Sequence, residues 1–246
     1  MIDTGSDPHS NAQVENSNYL ETSVNILTAP HEAFITLNAH PTKLFPLATV
    51  LISVMAATAW YFAILDYPWY MDDTLGQIGT LTDEQLESAR DAMQSIPQRN
   101  ITLLGIFGSA FSLLAVYTLQ AAYLSLVSAL AGDTYKFGHW FSLACWTNLP
   151  YLLIVISMVV NIYLNPNGQL SGYELNALSL SNLGMESNNA SLNQLFSSLS
   201  LTMFWSLTLV TMAYKQWLKS SLIKAVSVVG APYLLIFGVW SYFALA

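Results

Sequence analysis

Residues 44–65 read LFPLATVLISVMAATAWYFAIL and contain no charged residue and no histidine. A helix needs about 20 predominantly apolar residues to cross the roughly 30 Å of hydrocarbon in a bilayer. Four more stretches have this character, and they occupy residues 101–130, 141–164, 195–214 and 223–245. Apart from Lys224 near the start of the last stretch, none of the four contains Asp, Glu, Lys, Arg or His. The sequence therefore predicts an all-α fold, a polytopic helical bundle with five transmembrane helices.

The composition excludes a soluble protein. Hydrophobic residues make up 54% of the chain and charged residues 9%, whereas about 25% of the residues of an ordinary soluble domain are charged. The formal net charge of −8 comes mainly from acids outside the five stretches. An acidic chain without a basic patch is not expected to bind nucleic acid.

The chain divides into a tail and one membrane domain. Residues 1–24 are rich in Asn, Ser and acids without an apolar period, which predicts a disordered cytoplasmic tail. Residues 25–246 form the predicted five-helix domain. At its start, residues 27–44 have apolar residues near helical spacing, with Pro30 suited to a first helical turn and Pro41 to a helix end. This short helix is expected either to lie on the membrane surface or to pack on the protein.

Basic residues near the ends of the spans predict the orientation. Arg90 and Arg99 lie on one side of the predicted membrane. The lysines lie on the other side, and they are Lys43, Lys136, Lys215, Lys219 and Lys224. The positive-inside rule then places the N-terminus in the cytoplasm and the C-terminus on the opposite side.

The spans argue against several chemistries. Ion-coupled transporters, proton pumps and intramembrane hydrolases need ionisable groups at membrane depth, and these spans contain almost none. The chain has no nucleophile elbow, phosphate-binding glycine loop, HExxH or CxxC motif. His31 and His40 are nine residues apart and point to opposite sides of a helix. We therefore expect no catalytic residue, no cofactor and no metal site.

The link between the second and third spans holds the first group of candidate site residues. Asp133, Lys136 and His139 are three titratable groups beside two glycines. At the membrane surface such a turn could contact a partner protein or a lipid headgroup. An ordinary interfacial turn is the alternative.

Polar residues and prolines inside the spans form the second group. Asn148 and Pro150 interrupt the backbone hydrogen bonding of the third span, and Gln120 in the second span is the natural partner of a buried amide. Pro232 predicts a kink in the fifth span. These residues could serve packing between helices or a solute site.

Three stretches together resemble a known family. They are ILTAPHEAFITLNAHP at residues 26–41, AGDTYKFGHWFSLACWTNLP at 131–150 and LFSSLSLTMFWSLTLVTMAYKQWLKSSLIKA at 195–225. In order and content they resemble the Yip family, membrane proteins first known as Ypt/Rab-interacting proteins. The resemblance covers about residues 26–245 and implies a five-helix domain with a cytosolic N-terminus.

Two loop stretches, LTDEQLESARDAM at residues 81–93 and NALSLSNLG at 176–184, resemble the bacterial branch of that family. The resemblance therefore implies a bacterial cytoplasmic (inner) membrane protein with a periplasmic C-terminus. Eukaryotic relatives bind prenylated small GTPases, and many carry a DLYGP-like motif in the N-terminal segment. This tail lacks the motif, so a small-GTPase partner is not expected.

Two functional hypotheses follow. The first is a non-enzymatic membrane scaffold or adaptor, in membrane organisation or a trafficking-like process. It would present residues 25–43 and 131–140 to lipid headgroups, to other membrane proteins or to a second copy of itself. The alternative is a passive transporter or channel for a small solute or metal ion. That pathway would use Gln120, Asn148, Asn161, Pro150 and Pro232.

Overall fold

The structure is a computed structural model that describes residues 19–77 and 82–245. It is 78% helical, and the described residues contain no strand. The helices are α1 (residues 19–28), α2 (Pro30–Ala39), α3 (Leu44–Ile64), α4 (Tyr67–Gly76), α5 (Asp83–Gln94), α6 (Gln98–Leu130), α7 (Phe137–Thr147), α8 (Leu152–Leu164), α9 (Ala190–Ser198), α10 (Leu201–Trp217) and α11 (Leu222–Leu245).

Four helical segments of the described chain are long and apolar enough to cross a membrane. They are Leu44–Ile64, Gln98–Leu130, Phe137–Leu164 and Leu222–Leu245. Their positions agree with the first, second, third and fifth predicted spans. The all-helical fold and the presence of spanning helices are thus confirmed.

The predicted fourth span, residues 195–214, is not one helix. α9 ends at Ser198, and Ser200 begins α10 by accepting a hydrogen bond on its Oγ from the Met203 amide at 3.3 Å. At this break the Leu180 amide donates to the Leu199 carbonyl, and the Leu201 amide donates to the Leu178 carbonyl. α10 has 17 residues, fewer than the roughly 20 that a span requires. By length and composition, the described helices include four candidate spans, so the predicted count of five is not confirmed.

The N-terminal segment is more ordered than we expected. Residues 1–18 of the predicted tail lie outside the described residues, but residues 19–24 are helical and not disordered. The Tyr19 ring stacks on Phe45 at the start of α3, with 5.3 Å between ring centroids. In α2, Phe34 and Leu37 are buried. The structure therefore shows this helix packed on the protein.

α7 lies at the centre of the bundle. It packs against α2, α3, α6 and α10, and Trp140, Leu143, Cys145 and Trp146 of this helix are fully buried. A 3-10 turn, Leu149–Tyr151, separates α7 from α8. This turn contains Pro150, which has no amide hydrogen to continue the α-helical pattern.

A long loop, residues 165–189, covers one end of the bundle. The Asp66 amide after α3 donates to the Gly168 carbonyl at 3.1 Å, and the Tyr61 hydroxyl donates to the Leu170 carbonyl at 2.9 Å. Gly168 has φ +72°, and a Cβ there would collide with the Ile64 carbonyl oxygen. Only glycine fits this close approach of two backbones. The loop is therefore fixed to the C-terminal end of α3, which is the end farther from α2.

Candidate functional site

The turn between α6 and α7 is held together by Asp133. Its Oδ1 accepts a hydrogen bond from the Tyr135 amide at 2.8 Å, and its own amide donates to the Ser128 carbonyl at 3.3 Å. Gly132 has φ +83°, a conformation that glycine adopts at no steric cost. Asp133 therefore shapes this turn, as Asp commonly does in turns.

The three candidate residues of the turn have different surroundings. Asp133 Oδ2 is buried and has no hydrogen-bond partner among the described residues. Lys136 is exposed, immediately before α7. His139 is half-buried and packs edge-on against Tyr135, with 5.7 Å between centroids. The structure thus brings them into one turn but does not join them into one binding group.

An aromatic cluster lies beneath this turn. Tyr135 stacks on Trp217 of α10 at a centroid distance of 5.4 Å and contacts Trp140 at 5.9 Å. The Trp140 indole donates to Ser128 Oγ at 3.0 Å. Aromatic pairs of this kind contribute stability beyond the area that they bury. The cluster therefore joins the turn firmly to α7 and α10.

Tryptophans of the bundle hold the segment that precedes α3. The Trp217 indole donates to the Phe34 carbonyl at 3.0 Å, and the Trp146 indole donates to the Thr42 carbonyl at 2.9 Å. Phe34 is fully buried. These contacts were not predicted from the sequence. The available signal was the tryptophans at span ends, because a tryptophan side chain is apolar but carries one N–H that needs a hydrogen-bond acceptor. α2 is therefore part of the folded domain.

α1 leaves an apolar stripe uncovered. Leu20, Val24 and Leu27 are exposed and follow the i, i+4, i+7 spacing that places residues on one helix face. We refer to these three residues as the α1 stripe. Residues 20 and 24 fall in the predicted disordered tail, so the sequence analysis missed the stripe. Its spacing was the available signal.

The two amides of the second candidate group are in direct contact. Asn148 Nδ2 donates to Gln120 Oε1 at 3.0 Å and to the Ala144 carbonyl at 2.8 Å. Both hydrogens of this amide are therefore used within the protein. Asn161, at the far end of α8, donates to the Glu174 carbonyl at 2.6 Å. The Asn148–Gln120 bond therefore joins the end of α7 to α6, as is typical in membranes, whereas the Asn161 bond joins α8 to the long loop.

Pro232 leaves an unpaired carbonyl that a tyrosine satisfies. A proline inside a helix cannot donate to the carbonyl four residues earlier, which here belongs to Val228. The Tyr123 hydroxyl of α6 donates to that carbonyl at 2.8 Å. Pro232 was singled out from the sequence, but its partner was not. The signal was available only in part, because Pro232 identifies the acceptor and not the donor.

Among residues 19–77 and 82–245, no three side chains of His, Cys, Asp or Glu come together as metal ligands. The single cysteine, Cys145, is buried in α7.

The comparison with known families decides the assignment. The sequence model of the Yip1 domain matches residues 24–243. The chain belongs to the Yip1 domain family. With its four apolar helices, this Yip1 domain protein is an integral membrane protein, and the Yip1 family is not a family of enzymes. Neither the curated proteins nor the solved structures include a match to this chain.

Proposed function

We propose that this Yip1 domain protein is a non-enzymatic membrane scaffold or adaptor. Its partner would bind a cytoplasmic face composed of the α1 stripe and residues 131–139. The observation that carries the proposal is the attachment of the segment before α3 to the bundle, in which Trp217 binds Phe34 of α2 and Trp146 binds Thr42 after α2. This attachment fixes the adjoining α1, while the α1 stripe stays exposed. A fixed, exposed apolar helix face is a common docking surface for another helix.

The proposal includes a five-span topology, with α10 as the short fourth span. The Leu201 amide at its start donates to Leu178 in the long loop, which is fixed to the far end of α3. At its other end, Trp217 binds α2, which precedes α3. α10 therefore runs antiparallel to α3, from the end near the long loop to the end near α2. α10 packs against α2, α7 and α11, which supports a place for it within the bundle.

The same proposal places the N-terminus in the cytoplasm and the C-terminus in the periplasm of a bacterium. The orientation is supported by the lysines, since Lys215, Lys219 and Lys224 all lie at the turn between α10 and α11. The bacterial inner membrane is supported by the resemblance of residues 81–93 and 176–184 to the bacterial branch.

Site-specific photocrosslinking in native membranes tests the adaptor proposal. A photoreactive amino acid at Val24, in the α1 stripe, should capture one partner protein in near-stoichiometric yield. The matched control is the same amino acid at Leu104, which is exposed on the membrane-spanning helix α6. Capture of only lipid from Val24, or of the same proteins from both positions, would reject the proposal.

The transport alternative has weaker support from the geometry. The amide hydrogens of Asn148 already bind Gln120 and Ala144, so a solute would have to displace these bonds. Substitution of Gln120 by Leu is therefore expected to lower stability without changing solute flux in proteoliposomes.

A further inference from the structure

A cavity of about 680 Å³ lies at the end of the bundle away from α2, between α4, the long loop and α9. Its size falls within the roughly 300–1,000 Å³ typical of small-molecule sites. Apart from Gly76 and Ala190, each described residue of its lining has a polar side chain. The cavity therefore differs from the apolar surfaces that the spanning helices present to the bilayer.

Hydrogen bonds hold the walls of this cavity together. Gln77, just after α4, donates from Nε2 to Ser171 Oγ in the long loop at 2.9 Å. Asn193 of α9 accepts from the Ser187 amide and donates to the Ser187 carbonyl, each at 2.7 Å. The three walls are thus joined to one another before a ligand arrives, which lowers the entropic cost of binding.

Several polar side chains of the lining are free to bind a ligand. Among residues 19–77 and 82–245, the side chains of Thr74, Glu186 and Gln194 make no hydrogen bond and no ion pair. They provide a hydroxyl, a carboxylate that accepts, and an amide that both donates and accepts. Tyr173 also lines the cavity and is 38% exposed, which adds an aromatic ring with a polar tip.

The composition of the lining argues against several classes of ligand. Glu186 is the only charged residue among the described residues of the lining, so it would repel a phosphate or another anion. A metal ion normally has three or four protein ligands, and the described part of the chain has no such group. A wholly apolar ligand would bury polar groups without giving them partners, at a cost for each. A neutral molecule with many hydroxyl groups meets all three conditions.

We propose that this cavity binds a neutral carbohydrate of one or two sugar rings. A sugar has hydroxyl groups around its edge and C–H bonds on its faces, so one face can lie on the Tyr173 ring. Glu186 accepts hydrogen bonds from two neighbouring hydroxyls, and Gln194 donates to one hydroxyl and accepts from another. The cavity lies on the membrane side opposite the adaptor face proposed above, and this inference does not depend on the adaptor function.

Saturation-transfer NMR of the full chain in nanodiscs tests the site. The probes are cellobiose, maltose and chitobiose, which are neutral disaccharides, and at least one should receive saturation at its ring protons. Gln194→Ala should weaken its binding by about two- to tenfold, the loss expected for one hydrogen bond. The control is Asn188→Ala, which removes an exposed amide of the long loop outside the lining and should leave binding unchanged. Absence of transfer to all three probes, or equal loss in the two variants, would overturn the proposal.

The aromatic ring and the carboxylate are tested separately. Tyr173→Phe keeps the ring and should bind the same disaccharide within about twofold, whereas Tyr173→Leu should bind it about two- to tenfold more weakly. Thermal unfolding in the same nanodiscs checks that both variants are folded, and equal affinities of the two folded variants would show that the ring does not bind the sugar.

The carboxylate predicts that cellobiuronic acid, which carries a negative charge, binds more weakly than cellobiose. Glu186→Gln should reduce this difference, because it removes the charge that repels the acid. Tighter binding of cellobiuronic acid than of cellobiose by the wild type would overturn the assignment of a neutral ligand.

Discussion

The contact between Tyr123 and the Val228 carbonyl makes a quantitative prediction. Tyr123→Phe removes the hydroxyl that donates at 2.8 Å to this carbonyl, and Pro232 denies the carbonyl its usual partner within the helix. Hydrogen bonds between membrane helices contribute about 0.6 kcal/mol on average and up to about 1.7 kcal/mol. Because no helical amide can replace the lost donor, we expect a loss near the upper part of this range, about 1–1.5 kcal/mol.

The assay is reversible unfolding by SDS in mixed micelles, followed by tryptophan fluorescence. Tyr163→Phe is the control, since it removes the same atom from an exposed side chain of α8 and should change the free energy of unfolding by less than about 0.5 kcal/mol. Pro232→Ala returns an amide hydrogen to position 232, which can then donate to Val228. In that background Tyr123→Phe should also cost less than about 0.5 kcal/mol. An equal cost in both backgrounds would refute the argument.

Three further predictions concern the ends of the bundle. Gly168→Ala should lower the free energy of unfolding by about 1–3 kcal/mol, because Gly168 has φ +72° and a Cβ there would meet the Ile64 carbonyl. Gly172→Ala is the control in the same unfolding assay and should be neutral, because a Cβ at Gly172 would meet open space. Trp217→Phe should speed hydrogen exchange of the α2 amides, because it removes the bond to the Phe34 carbonyl. Trp60→Phe, which changes a partly exposed side chain, should leave this exchange unchanged. Unchanged exchange in Trp217→Phe would mean that the indole does not hold α2. Asp133→Ala should lower the free energy of unfolding by about 1 kcal/mol. Asp133→Asn should lower it much less, because the Asn side chain can still accept a hydrogen bond from the Tyr135 amide. Equal losses in the two variants would show that the charge of Asp133, and not this hydrogen bond, stabilises the turn.

Hydropathy and length were enough to predict the four candidate spans. The predicted span at 44–65 corresponds to Leu44–Ile64, and the one at 223–245 to Leu222–Leu245. A long run of apolar residues has only one inexpensive backbone conformation in lipid, the helix. Local composition is therefore sufficient to predict the helical conformation of such segments without knowledge of their tertiary contacts.

The missed features depend on contacts between distant residues. The break before α10 involves backbone bonds from Leu178 and Leu180 to residues 201 and 199, and hydropathy cannot show these. Composition likewise gave a disordered tail where residues 19–24 form part of a helix, because the Tyr19–Phe45 stacking contact lies outside the local sequence.

The candidate sites were predicted unevenly for a similar reason. Gln120 and Asn148 could be paired from the sequence, since few polar groups are available within the apolar spans. Asp133, Lys136 and His139 are close in the chain, but the turn directs them to different surroundings. Proximity in sequence could not predict a shared site there.

The attachment of α2 has a consequence for biosynthesis. Phe34 and its donor Trp217 are 183 residues apart, so the ribosome makes the donor long after α2 has left it. At roughly 5–20 residues per second, the interval is about 10–40 s. During that time α2 has no complete binding surface and is open to chaperones or proteases. Docking of α2 is thus a late step that requires α10 to be in place in the bundle.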